Sequence, residues 1–393
     1  FGKYIKLCFK NKVLDSGCIE TYLLELVRII KQVGNERNFH IFYQLFEGLT
    51  DKQLETLHLQ RKNYTIINNV SADGINDRLE FDNTCQALKT MKCDENLQME
   101  IWSIVSGIIL LGELTPKSIN KNNPIIHDIC DLFKLNSELL IEKLTTKKIV
   151  TPSETFTKQL TKQEIIKTKD TIIKIYYDQL FKWLVKLINR NINVEKKNSH
   201  KFIGILDIFG FEVFQNNYFE QLCINFTNEI LQQQFNKYIF KLEQQEYKAE
   251  QINWDMIDFP DNQDCIDLIT KKPYSVFTLL DEECSVGDNN DTAYHRKLER
   301  HLKEHSRITF TNKMNAKQLF IVHHYAGEVT YNTNLFCFKN KQIMSHELLE
   351  LLYNSKLPLI QQFVEQNKIN NSKHSVNKKF QKQLNSLMKV ISK

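Results

Sequence analysis

The chain has 393 residues, of which 42% are hydrophobic and 25% are charged, so it can bury a large core divided among subdomains. A formal net charge of +5 excludes the global positive charge typical of nucleic-acid-binding proteins, and nine cysteines without a C-x-x-C pair indicate reduced thiols in a cytosolic protein. The longest apolar run, residues 101–114, is too short to span a bilayer. The start at Phe1 rather than Met is expected of a fragment or of a mis-predicted start.

The first 200 residues are mainly helical in pattern. Apolar residues at helical spacing predict helices over 19–33 and 38–49, with a glycine break between them, and a buried third helix over 94–114. The segment 150–161 is polar and contains a proline, which predicts a loop without regular structure.

A capping box from Thr161 to Glu164 predicts the start of a fourth helix. The apolar residues that follow recur at helical spacing and predict one buried stripe, composed of Ile165, Ile172, Ile173, Tyr176, Leu180, Leu184 and Leu187.

A different pattern begins at residue 201. The apolar, buried-type strand 201–206 ends at Asp207, and α/β folds bind ligands at the carboxyl ends of such strands. Gly210 then offers a backbone amide without a Cβ in the way, and Glu212 adds a second carboxylate. This arrangement suits a phosphate and its metal ion, although an acid at a strand end more often has a structural or turn role.

Residues 217–247 predict a long amphipathic helix, and residues 319–331 predict two strands joined at an Ala-Gly pair. Adjacent His323 and His324 lie on opposite faces of the first of these strands, and the inward one is predicted to pack in the core. Residues 366–393 carry seven lysines and no Asp or Glu, which is typical of a solvated flexible face or of a surface that attracts an acidic partner.

The sequence HLKEH, which starts at His301, is the main rival site. It matches H-x-x-E-H, in which His301 and His305 could bind zinc and Glu304 could act as a base. Its surroundings are typical of an exposed charged helix, and no third ligand is evident. The acids of LLDEEC (279–284) point to different faces, which disfavours a metal site, and a kinase is excluded because Ile208 interrupts the D-F-G motif.

Several stretches, in order, resemble the motor domains of myosins. LDIFGFEVF followed by NYFEQLCINFTNEILQQQFN resembles the switch II element and the relay helix, and the similarity continues through INWDMIDFPDNQDCIDLITKKP, LLDEEC and HHYAGEVTYN. Upstream, GNERNFHIFYQL, LTTKKIV and DQLFKWLVKLIN are also similar to myosins. The opening FGKYI resembles the segment just after switch I, and FQKQLNSLMKVIS resembles the start of an actin-binding helix.

This resemblance covers residues 1–393 and implies an α/β fold. The expected structure is a partial myosin motor, truncated at both ends, with a P-loop NTPase-type core sheet and large helical actin-binding subdomains. Residues 1–200 are expected to form the upper, mostly helical actin-binding subdomain. Residues 201–393 are expected to hold the switch II strand, the relay helix, the lower actin-binding subdomain and transducer-like strands.

The resemblance also implies roles for three residues of LDIFGFEVF. Asp207 would hold Mg²⁺ through its water shell, Gly210 would donate its amide to the γ-phosphate of ATP, and Glu212 would position or deprotonate the attacking water. Gly210 and Glu212 are therefore the expected catalytic residues, and Asp207 and Gly210 the expected nucleotide-binding residues. The implied cofactors are ATP and Mg²⁺.

On the partner side, the resemblance implies an actin filament, in a cytoplasmic, cytoskeleton-associated protein. Glu154 lies in a loop that myosins use against actin, and light chains and cargo are expected only through regions outside this sequence. No nucleic acid and no membrane span are expected. The other expected actin-binding residues cluster near the end of the chain and are Lys378, Lys379, Lys382, Leu384, Asn385, Ser386, Leu387 and Met388.

The sequence departs from the family pattern in what it lacks. The phosphate loop and the switch I residues do not occur in it, and none of the eleven glycines lies in a G-x-x-x-x-G-K-[ST] motif. The chain as written is therefore expected not to hydrolyse ATP by itself. Two functions stay open, a segment of an actin-activated ATPase motor and a non-hydrolytic actin-binding relic, with a zinc hydrolase at HLKEH as a distant third.

Overall fold

The structure is a computed structural model that describes residues 2–22, 24–32, 36–68, 70–150, 154–192, 201–238, 243–252, 261–286, 290–340, 346–366 and 375–391. The chain divides into two compact units. The larger unit holds Lys3–Leu206 and Ile343–Ser372, and the smaller unit holds Phe1–Gly2, Asp207–Gln342 and Lys373–Lys393. Among the described residues, none of the helices combines the length and the apolar character that crossing a membrane requires.

The strands of the described residues are two to ten residues long. They are β1 (Gly2–Lys10), β2 (Val13–Tyr22), β3 (Thr146–Val150), β4 (Thr155–Gln159), β5 (Lys201–Asp207), β6 (Ile308–Thr309), β7 (Leu319–His324) and β8 (Gly327–Asn332). They form a three-stranded sheet in the order β2-β1-β5, a hairpin of β3 and β4, and a three-stranded sheet in the order β6-β7-β8.

Helices account for most of the described chain. They are α1 (His40–Gly48), α2 (Asp51–Thr56), α3 (Asp77–Thr90), α4 (Glu95–Glu113), α5 (Pro124–Phe133), α6 (Ser137–Thr145), α7 (Lys162–Ile192), α8 (Phe219–Asn236), α9 (Glu243–Ala249), α10 (Gln263–Thr270), α11 (Val276–Val286), α12 (Asp291–Leu302), α13 (Asn312–Asn315), α14 (Phe336–Asn340), α15 (His346–Tyr353), α16 (Pro358–Gln366) and α17 (Val376–Ile391). The expected α/β fold, a mixture of helices and sheets, is therefore confirmed.

The predicted helix over 19–33 is wrong. Residues 19–22 complete β2, and within the described residues 24–32 the only helical turn is a 3-10 turn at Leu26–Ile29. The strand is held by β1, its neighbour in the chain, and by a residue distant in sequence, Asn189. Lys6 of β1 pairs with Glu20 at 2.8 Å, and the Asn189 side chain accepts from the Ile19 N–H at 2.7 Å and donates to its C=O at 2.8 Å. These contacts override the local helical periodicity.

The predicted loop over 150–161 is also replaced in part by regular structure. β4 pairs with β3 in antiparallel register, with Val150 opposite Thr155. The proline of this segment, at residue 152, lies outside the described residues. A short two-stranded hairpin has little periodicity of its own, and the polar residues here concealed it.

The predicted helix over 94–114 is confirmed as α4, the centre of the core of the larger unit. Its residues from Ile104 to Gly112 are all buried, and Asp94 caps it by accepting from the Leu97 N–H at 2.8 Å. At Gly107 an added Cβ would lie 2.3 Å from the ring of Phe133, so glycine is required for α4 to approach α5.

The capping box that starts α7 is confirmed as well. The Thr161 N–H donates to Glu164 Oε2 at 2.8 Å, and the Glu164 N–H donates to Thr161 Oγ1 at 3.3 Å. Ile165, Ile172, Ile173, Tyr176 and Leu180 are buried as predicted, and Leu184 and Leu187 pack against the core while partly exposed.

The smaller unit is built around α8 and an aromatic cluster. Its rings meet mostly edge to face with centroids 5.4 to 6.4 Å apart, an arrangement that aromatic pairs favour. The cluster consists of Phe219, Phe226, Phe277, Phe336 and Phe380. It joins α8, α11, α14 and α17 into one core.

The hairpin predicted over 319–331 is confirmed as β7 and β8, which pair with His324 opposite Gly327. The predicted helix over 217–247 is described as α8 and α9, and residues 239–242 between them lie outside the described residues.

The strand predicted over 201–206 forms, but it is not buried. β5 lies at one edge of its sheet, and Phe202, Ile203 and Ile205 are each about half exposed. The described residues therefore leave apolar side chains of this strand exposed to solvent.

The capping box predicts a pH-dependent start of α7. The Thr161 N–H and then Lys158 lower the pKa of Glu164 to about 2 from 4.5, so the stabilisation is present above the ordinary pKa and disappears as pH falls from about 4.5 to 2. We expect amide protection in the first turn of α7, measured by hydrogen exchange, to fall over this range. Glu164→Gln should keep the box and remove its pH dependence, whereas Glu164→Ala should lose protection at every pH. Equal pH profiles for the unsubstituted and Gln chains would contradict this role.

Candidate functional site

The two acidic residues and the glycine singled out from LDIFGFEVF lie at the end of β5 and on its connection to α8. Asp207 is the last residue of β5 and is exposed, Gly210 is exposed, and Glu212 is half-buried. All three belong to the smaller unit. The structure therefore presents one carboxylate and one glycine on a surface loop, with a second carboxylate at its inner end.

Gly210 has no structural explanation within the described chain. An added Cβ would meet nothing within 4 Å, and its φ does not lie in the left-handed region. Neither packing nor backbone conformation therefore requires glycine here. A glycine that the fold does not require leaves room for something to approach the backbone closely.

The peptide of Glu212 is held at both of its polar groups by one side chain of α8. Asn225 Oδ1 accepts from the Glu212 N–H at 2.8 Å, and Asn225 Nδ2 donates to the Glu212 C=O at 2.8 Å. A second side chain of α8, Asn228, donates to the C=O of Phe209 at 3.1 Å. The loop and the helix are therefore connected at two points.

Asn217 fixes the far end of the loop to the sheet of the smaller unit. Its side chain accepts from the Phe214 N–H at 2.8 Å and donates to the C=O of Phe214 and of Thr330. Its own C=O accepts from the Asn332 N–H at 2.9 Å. Asn217, Asn225 and Asn228 together anchor the loop at both of its ends.

A buried polar cluster lies behind Asn225, and sequence reasoning missed it. His324 Nδ1 lies 2.9 Å from Glu229 Oε2 and 3.7 Å from Cys265 Sγ, and all three side chains are buried. Such a trio could hold a metal ion in principle. Burial, followed by the charge of Glu229, raises the pKa of Cys265, which keeps the thiol protonated and disfavours its use as a ligand. The one sequence signal was the predicted inward histidine, which is His324.

The zinc interpretation of HLKEH is wrong. Helix α12 ends at Leu302, so His301 and His305 are not one helical turn apart on a continuous helix. The His301 ring stacks on Tyr274 with centroids 4.2 Å apart, and His305 Nδ1 accepts from the Arg307 N–H at 3.1 Å. Both imidazoles therefore already have partners that a zinc site would have to displace.

The residues expected to contact actin lie in both units. Glu154, in the larger unit, is exposed directly before β4. The others lie on α17 of the smaller unit, where Lys378, Lys382, Asn385 and Ser386 are exposed, Lys379 and Met388 are half-buried, and Leu384 and Leu387 are buried. Helix α17 is thus amphipathic, and Leu384 and Leu387 serve its packing side.

The start of α17 is held by an acid whose role the sequence did not reveal. Asp281, from LLDEEC on α11, accepts from Ser375 Oγ at 2.6 Å, Asn377 Nδ2 at 3.2 Å and Asn340 Nδ2 at 2.9 Å. The Asn377 N–H in turn donates to Asn340 Oδ1 at 2.9 Å. One carboxylate therefore fixes where the lysine-bearing helix begins.

Comparisons with known proteins agree with the motifs. A family model for the myosin head (motor domain) matches residues 1–393. The chain is 39% identical over 374 residues to unconventional myosin-Vb of Mus musculus, 39% over 375 residues to the myosin-I heavy chain of Dictyostelium discoideum, and 38% over 381 residues to myosin-52 of Schizosaccharomyces pombe. These matches cover 92%, 92% and 93% of this chain but 20%, 16% and 25% of the relatives. The chain thus spans a quarter or less of their length.

The Asp281 contacts predict a selective loss of order in α17. Asp281→Ala removes an acceptor shared by three side chains, and a hydrogen bond to a charged group contributes about 1.5–3 kcal/mol. We expect amide protection near Asn377 to drop and the unfolding temperature to fall. The neighbouring Glu282→Ala, which removes an exposed ion pair with Lys297, should change stability by about 0.5 kcal/mol or less. Unchanged protection of α17 in Asp281→Ala would show that this carboxylate does not hold the helix.

Proposed function

Because the chain belongs to the myosin head family, we propose that it is a segment of an actin-based motor that couples ATP binding and hydrolysis to movement along actin filaments. The observation that carries this proposal is Gly210, a glycine that neither packing nor backbone conformation requires, placed between two carboxylates on a loop that α8 holds. A loop that must meet a phosphate through its backbone needs these features.

The residues present fit the nucleotide and its magnesium ion. An exposed carboxylate at a strand end, Asp207, suits Mg²⁺ held through water, and the open backbone at Gly210 suits a phosphate oxygen that accepts from its amide. Bound Mg²⁺ would neutralise charge on the phosphates. Glu212 would orient or deprotonate the water, since its peptide is fixed by Asn225 while its carboxylate stays half-buried.

Helix α8 is mechanically coupled to the loop. Asn225 and Asn228 connect the loop to one helix, so a displacement of the loop at Gly210 must either break hydrogen bonds or move α8. A rigid helix transmits such a displacement from one end to the other, and its length increases by about 1.5 Å per residue. We assign to α8 the part of the relay helix on this basis.

Helix α17 supplies the actin side. Its buried face is held by Phe380, Leu384 and Leu387, which leaves Lys378 and Lys382 directed to solvent. Actin filaments are acidic partners in this proposal, and Glu154 belongs to a second contact in the larger unit. Light chains and cargo would bind through other parts of the protein, and the protein would work on the cytoskeleton in the cytoplasm.

The glycine gives the sharpest test of catalysis. In a chimeric motor in which residues 1–393 replace the matching segment of mouse unconventional myosin-Vb, Gly210→Ala should leave the unfolding temperature unchanged, because a Cβ there meets nothing within 4 Å. The burst of phosphate release should nevertheless be lost. Glu212→Ala should slow the burst roughly 10²–10⁴-fold and preserve MgATP binding, as expected for a group that acts on the water.

Two controls make this test decisive. Gly107→Ala, which would clash with Phe133, should destabilise the fold, so that loss of activity by misfolding has its own signature. A wild-type burst in Gly210→Ala or Glu212→Ala would exclude the assigned roles. An unsubstituted chimera that binds actin but never hydrolyses ATP would instead support the non-hydrolytic relic.

The lysines of α17 predict a salt-dependent actin contact. In the same chimera, changing Lys378 and Lys382 to Gln should weaken cosedimentation with actin at low salt and flatten its salt dependence, since exposed charges are screened over about 10 Å at 0.1 M salt. Changing exposed Lys271 and Lys303 to Gln makes the same change in net charge elsewhere in the smaller unit and should leave actin binding unaltered. Equal behaviour of the two double variants would exclude α17 as the actin contact.

A further inference from the structure

A continuous path of hydrogen bonds runs from the Glu212 peptide into the interior of the smaller unit. Glu212 binds Asn225, Asn225 Nδ2 lies 2.8 Å from the Tyr331 hydroxyl, this hydroxyl lies 2.9 Å from His324 Nε2, and His324 Nδ1 lies 2.9 Å from Glu229 Oε2. We propose that Tyr331, His324 and Glu229 are positioning residues that orient the Glu212 peptide through this path. The inference deepens the proposed function and rests on it for the catalytic consequence.

The direction of every bond in the path follows from its first member. The Glu212 N–H is a backbone donor whose role cannot be reversed, so the atom of Asn225 that faces it is the carbonyl Oδ1. The other terminal atom of Asn225 is then the amide nitrogen, with two protons. These protons reach the Glu212 C=O and the Tyr331 oxygen.

Tyr331 passes the direction on to His324. Burial raises the pKa of Tyr331, so the hydroxyl keeps its proton. Its oxygen already accepts from Asn225, and its proton therefore goes to His324 Nε2, which must be the unprotonated nitrogen of the ring. The ring carries its proton on Nδ1 and donates it to Glu229 Oε2. This assigns one tautomer to His324, because the alternative would leave a buried hydroxyl proton without an acceptor.

Glu229 is the common acceptor at the end of the path. Its side chain and that of His324 are fully buried, with relative exposures of 0%. Besides His324, Asn262 Nδ2 donates to Oε1 at 2.8 Å, and the Tyr325 N–H lies 3.3 and 3.4 Å from the two carboxylate oxygens. A carboxylate accepts hydrogen bonds and has no proton to donate. Glu229 therefore fixes the direction in which all hydrogen bonds of the path point.

The path joins two elements, helix α8 and the β7–β8 hairpin, to the Glu212 peptide. Asn225 and Glu229 are four residues apart on α8, and therefore lie on one face of this helix, whereas Tyr331 and His324 come from β8 and β7. Hydrogen bonds aligned in one direction strengthen one another. The hairpin and α8 thus hold the Glu212 peptide jointly. Removal of Tyr331, His324 or Glu229 is therefore expected to weaken the hydrogen bonds between Asn225 and this peptide.

The test uses three single variants and one double variant in the chimeric motor. Tyr331→Phe removes the central oxygen and keeps the ring, and Glu229→Gln replaces the terminal carboxylate by a group that carries protons of its own. Tyr294→Phe is the matched control, because the buried Tyr294 hydroxyl donates to the Val276 C=O at 3.0 Å in the same unit but outside the path. The double variant combines Tyr331→Phe with Glu229→Gln.

For catalysis, each path variant should bind MgATP at the unsubstituted rate and show a phosphate burst slower by roughly 10- to 100-fold, the cost of a misplaced catalytic group. The double variant should be no slower than the slower single variant, because both break the same path. Tyr294→Phe should keep the normal burst. Multiplied effects in the double variant, or an equal loss in Tyr294→Phe, would overturn the proposal.

Hydrogen exchange separates this inference from the proposed function. The peptide containing Glu212 should exchange faster in Tyr331→Phe and in Glu229→Gln than in Tyr294→Phe, whether or not the protein hydrolyses ATP. If the unsubstituted chimera shows no burst, the proposed function fails while this measurement still decides the path. Unchanged exchange in both path variants would show that the remote residues do not hold the Glu212 peptide.

Discussion

The structure of the smaller unit depends on one side chain that satisfies both polar groups of a single peptide. Asn225 takes the N–H and the C=O of Glu212, so the loop after β5 cannot shift without α8. Buried backbone groups need partners, and here the partner belongs to a helix rather than to a neighbouring strand. The loop can consequently carry an exposed glycine and two carboxylates without losing its place in the fold.

Two kinds of packing support this contact. The aromatic cluster around Phe277 fixes α8 against α11, α14 and α17 without directional polar bonds. The buried path to Glu229 adds direction, because the donor and the acceptor of each of its hydrogen bonds are fixed. Asp281 repeats the principle on a smaller scale, where one carboxylate sets the start of α17.

The sequence predicted those features whose signals lie close together in the chain. The capping box of Thr161 and Glu164, the buried helix α4 and the β7–β8 hairpin each depend on residues within one element or its immediate neighbour, and each was found. The end of β2 was mistaken for the start of a helix although β1 is adjacent in the chain, and the side chain that binds both polar groups of Ile19, Asn189, is 170 residues away. The path behind Glu212 escaped for the same reason, since Asn225 and Tyr331 are 106 residues apart. The loop residues themselves were singled out from their place at the end of a strand, the family resemblance supplied their roles, and these roles stay predictions.

The exposed strand β5 can pair within its own chain or with a second copy of the chain, and these two reactions differ in kinetic order. Its apolar residues stand about half exposed at a sheet edge, which is a surface that another strand can extend. If another segment of the same polypeptide pairs with β5, the rate constant of this intramolecular step does not depend on protein concentration. If β5 pairs with a second copy of the chain, the step is bimolecular and its rate rises with the square of the protein concentration. Dilution therefore favours the first outcome and crowded synthesis the second.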